Sequence, residues 1–149
     1  MFIEQLSIFL ENRPGKLKGI ADALKEKNIN IISLGLSDTT DYGIARMIVS
    51  DSARAKQVLL EKGMRQCSTC ACSRTAAGGR RAEPDSGYLK YKGLNLEYMY
   101  ALVTGKGRCY GCETSDQART YQTLKDAGMK MFSEEELNEL KNKNWIQKN

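Results

Sequence analysis

The chain has 149 residues, of which 41% are hydrophobic and 28% charged, and its formal net charge is +5. This composition is typical of a soluble globular protein, and no apolar run approaches the roughly 18 residues that a membrane-spanning helix needs. The sequence contains no histidine, which removes the commonest general base and the usual Ser-His and Cys-His nucleophile pairs. We therefore expect no catalytic residues and no cofactor.

The first half of the chain predicts the element order β-α-β-β-α-β. Hydrophobic alternation and β-branched residues predict four strands, at 5–10, 29–36, 43–49 and about 65–73. Apolar residues at i, i+3, i+4 and i+7 predict a first helix after the turn-forming Pro14-Gly15, namely Leu17, Ile20, Ala21 and Leu24. A second helix is predicted between the cap Asp51 and Gly63, with Ala55, Val58 and Leu59 as its apolar residues. This order is that of the ferredoxin-like unit, an antiparallel sheet with both helices on one face.

The second half repeats the first at an offset of 65 residues. Three short segments recur without a gap: Asn30-Ile31 as Asn95-Leu96, Asp51-Ser52-Ala53 as Asp116-Gln117-Ala118, and Lys62-Gly63-Met64 as Ala127-Gly128-Met129. A long period seen twice indicates two copies of a small domain. A strand is predicted at 94–104, a helix at 116–127, and a further helix after the capping box from Ser133 to Glu136. We expect units at 1–66 and 67–144, followed by a tail at 145–149.

The second unit is degenerate at its start. Pro84 and Gly87 disfavour a helix where the repeat requires one, so irregular structure is expected over 67–92, and the strand pattern is also interrupted at 107–113. Reading the codons of Cys67, Cys70 and Cys72 one nucleotide later turns each into alanine or valine. A local frame error in the gene is therefore our interpretation of both stretches.

The excess positive charge lies in one segment. Residues 64–93 contain six basic and two acidic side chains, whereas residues 1–63 contain nine and eight and residues 94–149 contain eight of each. A charge confined to one short segment does not predict a nucleic-acid-binding face. The N-terminus, which begins MFIEQ, lacks the pattern of a secretory signal. We therefore expect a cytoplasmic protein, whose five cysteines are thiols or metal ligands rather than disulfides.

Two CxxC pairs, Cys67 with Cys70 and Cys109 with Cys112, could provide the four thiolates of a zinc ribbon. The 38 residues between the pairs exceed the roughly 15–20 residues usual in such sites. The first pair falls in the strand predicted at about 65–73, and the second falls where the repeat requires the counterpart of the strand at 43–49, so we expect no metal site. A small metal- and nucleic-acid-binding protein of zinc-ribbon type is the alternative to the interpretation that follows.

Residues 5–17, QLSIFLENRPGKL, resemble the opening of an ACT domain, an amino-acid-binding regulatory module. The segments 28–31 and 41–46 fit the same resemblance. Residues 95–100 and 133–137 resemble the second domain and tail of small stand-alone proteins made of two tandem ACT domains. The resemblance implies an α+β fold of two ferredoxin-like units and a function in amino-acid binding and regulation or oligomerisation, without catalysis.

The resemblance also implies where a ligand binds. ACT domains pair side by side and hold an amino acid at the seam, near the turn between the first strand and helix, which is here formed by Asn12, Arg13, Pro14, Gly15, Lys16 and Leu17. Free N–H groups at the helix start favour a carboxylate. Asp38 or Asp41 at the far turn, beside Tyr42 and Gly43, is expected to pair with the ammonium. We expect a homodimer through sheet-edge or helix contacts, a small amino acid as ligand, and neither a nucleic acid nor a membrane as partner.

Overall fold

The computed structural model describes residues 2–38, 42–64, 66–74, 86–104, 107–131 and 133–142. The chain forms two compact units, one made mainly of residues 4–68 and the other mainly of residues 69–137. Within the described ranges, no helix has the length and apolar character needed to cross a membrane. The tail predicted at 145–149 lies outside these ranges.

The first unit contains three strands and two helices in the predicted order. Its elements are β1 (Phe2–Glu11), α1 (Lys16–Glu26), β2 (Ile31–Asp38), β3 (Tyr42–Val49) and α2 (Ser52–Glu61). The central strand is β3, which pairs antiparallel with β1 on one side and with β2 on the other. The prediction of these five elements from hydrophobic periodicity is confirmed.

One apolar core joins the sheet of this unit to both helices. Alternate residues of β1 and β3 point into it because successive side chains of a strand face opposite sides of the sheet. The buried strand residues are Leu6, Ile8, Leu10, Ala45, Met47 and Val49, and the helices contribute Ile20, Ala23, Leu24, Ala55, Val58 and Leu59. Since α1 and α2 bury their apolar residues in the same cluster, both helices lie on the same face of the sheet.

Residues 66–142 contain the second set of elements. They are β4 (Gln66–Arg74), α3 (Ser86–Tyr91), β5 (Leu96–Thr104), β6 (Gly107–Thr114), α4 (Gln117–Asp126), β7 (Lys130–Met131) and α5 (Glu134–Asn142). The strands β5, β6, β4 and β7 lie side by side in that order, with antiparallel pairing throughout. Counted within this copy, the order is 2-3-1-4, which is the ferredoxin-like arrangement. The predicted capping box is confirmed, because the Ser133 hydroxyl accepts from the Glu136 N–H at 3.2 Å and the Glu136 carboxylate accepts from the Ser133 N–H at 3.1 Å.

The sequence repeat is also a repeat of hydrogen bonds. The Ile29 N–H donates to the Leu24 carbonyl at 2.9 Å, and 65 residues later the Leu94 N–H donates to the Leu89 carbonyl at the same distance. The β2–β3 ladder shifts register between Ile31 and Ser33, and the β5–β6 ladder shifts between their counterparts Leu96 and Tyr98. The offset found in the sequence therefore relates equivalent backbone positions in three dimensions.

The expectation of irregular structure over 67–92 and 107–113 was wrong for β4, α3 and β6. Strand pairing uses backbone N–H and C=O groups, which every residue except proline supplies in full, so the unusual side chains of these strands do not prevent pairing. Gly87 lies within α3, whereas Pro84 and the rest of residues 75–85 lie outside the described residues.

Candidate functional site

The connection from β1 to α1 is a tight turn of four residues. Within it, the Arg13 N–H donates to the Glu11 carbonyl at 2.8 Å, and the Lys16 N–H donates to the Arg13 carbonyl at 3.3 Å. Gly15 has a φ of +86°, a left-handed conformation that side chains disfavour and glycine adopts freely. The turn predicted at Pro14-Gly15 is thus confirmed, and it starts the helix directly beside the end of the strand.

The start of α1 is open to an anion. Gly15 has no side chain with which to cap the helix, and the backbone N–H groups of Leu17 and Lys18 have no acceptor among the described residues. In contrast, Asp51 caps α2 and Asp116 caps α4, each accepting a bond from the N–H three residues further on, at 2.9 and 3.0 Å. Because unpaired N–H groups and the helix dipole together attract negative charge, the α1 terminus favours a carboxylate.

Three charged side chains surround this terminus. The Oε2 atom of Glu11 lies 3.6 Å from Nε of Arg13 and 3.4 Å from Nζ of Lys16, and all three side chains are exposed. Exposed ion pairs contribute only about 0–1 kcal/mol to stability. An incoming carboxylate can therefore take the place of Glu11 beside these two cations at small cost.

Strand pairing brings a second group of predicted residues to the same end of the sheet. Tyr42 lies opposite Glu11 and Gly43 lies opposite Leu10 in the β1–β3 ladder, while Asp38 lies opposite Gly43 in the β2–β3 ladder. Gly43 is buried and Tyr42 is exposed. Neighbouring strands are about 4.8 Å apart, so the backbone of Asp38 lies roughly 10 Å from the end of β1.

The structure therefore brings the turn residues 12–17 close to Tyr42, Gly43 and the backbone of Asp38. The Asp38 side chain and the whole of Asp41 lie outside the described residues, so their role as partners of an ammonium group stays a prediction. Glu11 is not among the site residues predicted from the sequence. The charge pattern of the sequence could have indicated Glu11, because this acidic residue immediately precedes a turn that carries two basic ones.

Cys112, the last cysteine of the two CxxC pairs, is part of the apolar core of the second unit. Cys112 is fully buried in a cluster with Leu89, Leu94 and Leu124, at the position that Met47 occupies in the first unit. Among the described residues, no three His, Cys, Asp or Glu side chains lie together as metal ligands would; the side chains of the other four cysteines lie outside this set. A buried thiol packs as a small apolar group, so these observations favour a packing role for Cys112 over zinc binding.

Comparison with solved structures supports the fold. The chain is similar to a protein from Bacteroides thetaiotaomicron, with 26% identity, a TM-score of 0.78, and coverage of 93% of this chain and 96% of that one. It is also similar to the ligand-free regulatory subunit of aspartate kinase from Thermus thermophilus, with 14% identity, a TM-score of 0.56, and coverage of 83% and 91%. The second likeness concerns the fold alone.

No curated protein matches the chain. A family model described as an ACT domain pair matches residues 1–140, which include both copies of the repeat, the Pro14-Gly15 turn and the capping box before α5. The two ferredoxin-like units, joined in tandem and repeated at one fixed offset, are what such a pair requires. The chain belongs to the ACT domain pair family.

Proposed function

We propose that this protein is a cytoplasmic regulatory module that binds a small amino acid and has no catalytic activity of its own. Membership of the ACT domain pair family supports a regulatory role. The observation that carries the proposal is the uncapped start of α1, next to two exposed cations whose only described acidic partner is the easily displaced Glu11.

The chemistry of the site suits an α-amino acid. The ligand carboxylate would accept bonds from the N–H groups of Leu17 and Lys18 and would lie beside Arg13. The ammonium group, one carbon away, would be directed towards the turn after β2, where the sequence places Asp38 and Asp41. A zwitterion is therefore matched at both ends, whereas a simple anion is matched at only one.

A second copy of the chain would complete the site. The strand β2 lies at the edge of the sheet in the first unit, and its Leu34 and Leu36 are 44% and 54% exposed. Its sequence, IISLGLSD, lacks the lysine and proline residues that usually protect an edge strand from pairing. We propose that two copies pair along β2, so that a ligand bound at the seam stabilises the dimer and shifts the population towards it.

A thermal-shift panel of the twenty L-amino acids tests this function. A ligand present at 100 times its Kd stabilises the folded state by about 2.7 kcal/mol, which corresponds to an increase in Tm of roughly 5–10 °C for a chain of this length. We expect one amino acid, or a small group of similar ones, to produce this shift.

The variant Arg13→Gln tests whether the ligand that raises Tm binds at the start of α1. A hydrogen bond to a charged group contributes about 1.5–3 kcal/mol, so we expect the affinity to fall at least tenfold, as measured by isothermal titration calorimetry. Arg54→Gln, which removes an equally basic side chain from the exposed surface of α2, is the matched control and should bind normally. An unresponsive panel would contradict the proposal, and bound zinc whose chelation unfolds the protein would favour the zinc-ribbon alternative instead.

A further inference from the structure

We infer that the sheet of the first unit has a second self-association surface, on which another copy of the chain packs face to face. This surface is the outer face, the side of the sheet turned away from α1 and α2. On β1 and β3 it is formed by Ser7, Phe9, Glu11, Tyr42, Ile44 and Arg46. The contact goes beyond the proposed function, because it uses neither the amino acid nor the edge of β2.

The register of the β1–β3 ladder assigns these residues to one face. Phe9 lies opposite Ile44, and Ser7 lies opposite Arg46; directly opposed residues of a ladder have their side chains on the same side. Because they alternate with the core residues that pack on the helices, the helices do not cover them. Phe9 is 61% exposed and Tyr42 is 63% exposed, while Ile44 is half-buried.

The composition of the outer face is that of a protein interface. A solvated face of an antiparallel sheet usually carries polar residues, whereas this one presents Phe9, Tyr42 and Ile44. Interfaces are enriched in aromatic residues and arginine and depleted in lysine and glutamate. The helix side of the same unit has the opposite character, since its exposed residues include Lys16, Lys18, Asp22, Lys25, Glu26, Arg54 and Glu61. Large apolar side chains exposed side by side mark a place of contact.

The order of side chains along β3 is self-complementary. Tyr42 and Arg46 are four residues and therefore about 14 Å apart, and Ile44 lies midway beside Phe9. A two-fold axis that lies in the interface, across the strands at Phe9 and Ile44, brings the two Phe9 rings together. The same axis sets Arg46 of each copy over Tyr42 of the other, and a guanidinium group over a tyrosine ring is attractive. Reciprocal contacts of this kind are the rule in two-fold symmetric dimers.

Arg46 is already positioned for this contact. Its Nη1 atom donates to Oγ of Ser37 at 3.2 Å, and Ser37 lies opposite Ile44 in the β2–β3 ladder. The guanidinium group is therefore held across the outer face, and a side chain that is held in place loses less conformational freedom on association. Because the cation and the ring that attracts it lie on the same chain, the surface that fits this face best is a second copy of it.

Sedimentation velocity of the full chain, without amino acids and over a series of protein concentrations, tests the inference. Phe9→Lys places a charge at the centre of the contact, and we expect the dissociation constant of face-to-face association to rise at least tenfold. At a concentration where the original protein is fully associated, the number of chains per particle should fall by half. Leu60→Lys, at a 69% exposed residue of α2, is the matched control and should leave the association unchanged.

Leu36→Lys distinguishes the outer face from the pairing along β2 that the proposed function includes. With both contacts present we expect tetramers for the original protein, dimers for Phe9→Lys and for Leu36→Lys, and monomers for the double variant. Dimers that Phe9→Lys separates and Leu36→Lys leaves intact would support the outer face and contradict only the β2 pairing. Association unchanged by Phe9→Lys, or a protein that stays monomeric, would overturn the inference, while amino-acid binding in the thermal-shift panel would stand or fall separately.

Photocross-linking identifies the surface directly. With p-benzoylphenylalanine in place of Phe9, and a mixture of isotopically light and heavy chains, we expect cross-links between copies to β1 or β3, found by mass spectrometry of the digested product. Cross-links between copies that lead only to other segments, or none at all, would overturn the inference.

Discussion

The cores of the two units differ although their backbones correspond. In the first unit, equivalent core positions hold Met47, Val49 and Ala55, which are all apolar; in the second they hold Cys112, Thr114 and Thr120, and all six side chains are buried. The smaller and more polar set is accommodated because the threonine hydroxyls satisfy each other. The comparison shows that register, helix caps and turns can maintain a βαββαβ backbone while the composition of its core changes.

The threonine pair explains how polar atoms are tolerated there. The Thr120 hydroxyl donates to the Asp116 carbonyl at 2.8 Å, and it lies 2.6 Å from the Thr114 hydroxyl. Since the hydrogen of Thr120 is used for the carbonyl, Thr114 is the donor of the bond between the two side chains. A buried hydroxyl that is paired costs little, whereas an unpaired one is costly. The second unit thus depends on a small polar network where the first depends on apolar contact.

The largest effect is expected from the leucines that anchor both cores. Leu24 and Leu89 are equivalent and fully buried, so Leu24→Ala and Leu89→Ala should each lower the free energy of unfolding by about 2–5 kcal/mol. Denaturant unfolding followed by circular dichroism measures both. Leu60→Ala, at a residue that is 69% exposed, is the control and should change stability by less than about 0.5 kcal/mol. A loss below about 1 kcal/mol for Leu89→Ala alone would mean that the second core is not packed as described.

An intermediate effect is expected from the threonine pair. Thr120→Ala removes the acceptor of the Thr114 hydroxyl and should cost about 1–2 kcal/mol. Adding Thr114→Val gives the second core the residue types found at Val49 and Ala55, and should return stability to within about 0.5 kcal/mol of the original protein. A double-mutant cycle measures this coupling. Simple addition of the two single-variant losses would contradict the pairing.

The smallest effect is expected at the end of the first helix of each unit, α1 and α3. Asn28 has a φ of +56°, and its counterpart Gly93 has a φ of +71°. Glycine adopts this region without strain, so Asn28→Gly should raise Tm by about 1–2 °C and Gly93→Asn should lower it by a similar amount. Differential scanning calorimetry of the two variants measures both changes in Tm. Changes of the same sign would show that one of the two helix ends is shaped by contacts other than its own backbone.

Part of the candidate site could be predicted from neighbouring residues in the sequence. The Pro14-Gly15 turn, the start of α1 and the cap Asp51 depend on interactions within a few positions of the chain, and the structure contains all of them. Glu11 was missed because its ion pairs with Arg13 and Lys16 arise only once the turn folds the chain back on itself. The expected irregularity of 107–113 was wrong because side-chain patterns alone do not reveal backbone pairing with a distant strand.

The sequence by itself determined the order of the elements in the first unit, the two-copy organisation and the positions of α1, α2 and α4, because hydrophobic period, caps and turn residues act over short distances along the chain. Only the tertiary structure decided which distant residues meet. The β1–β3 register places Tyr42 opposite Glu11, and the packing of the second unit buries Cys112 among leucines. Both outcomes depend on long-range pairing, in which a shift of one residue would turn every side chain of a strand to the other face.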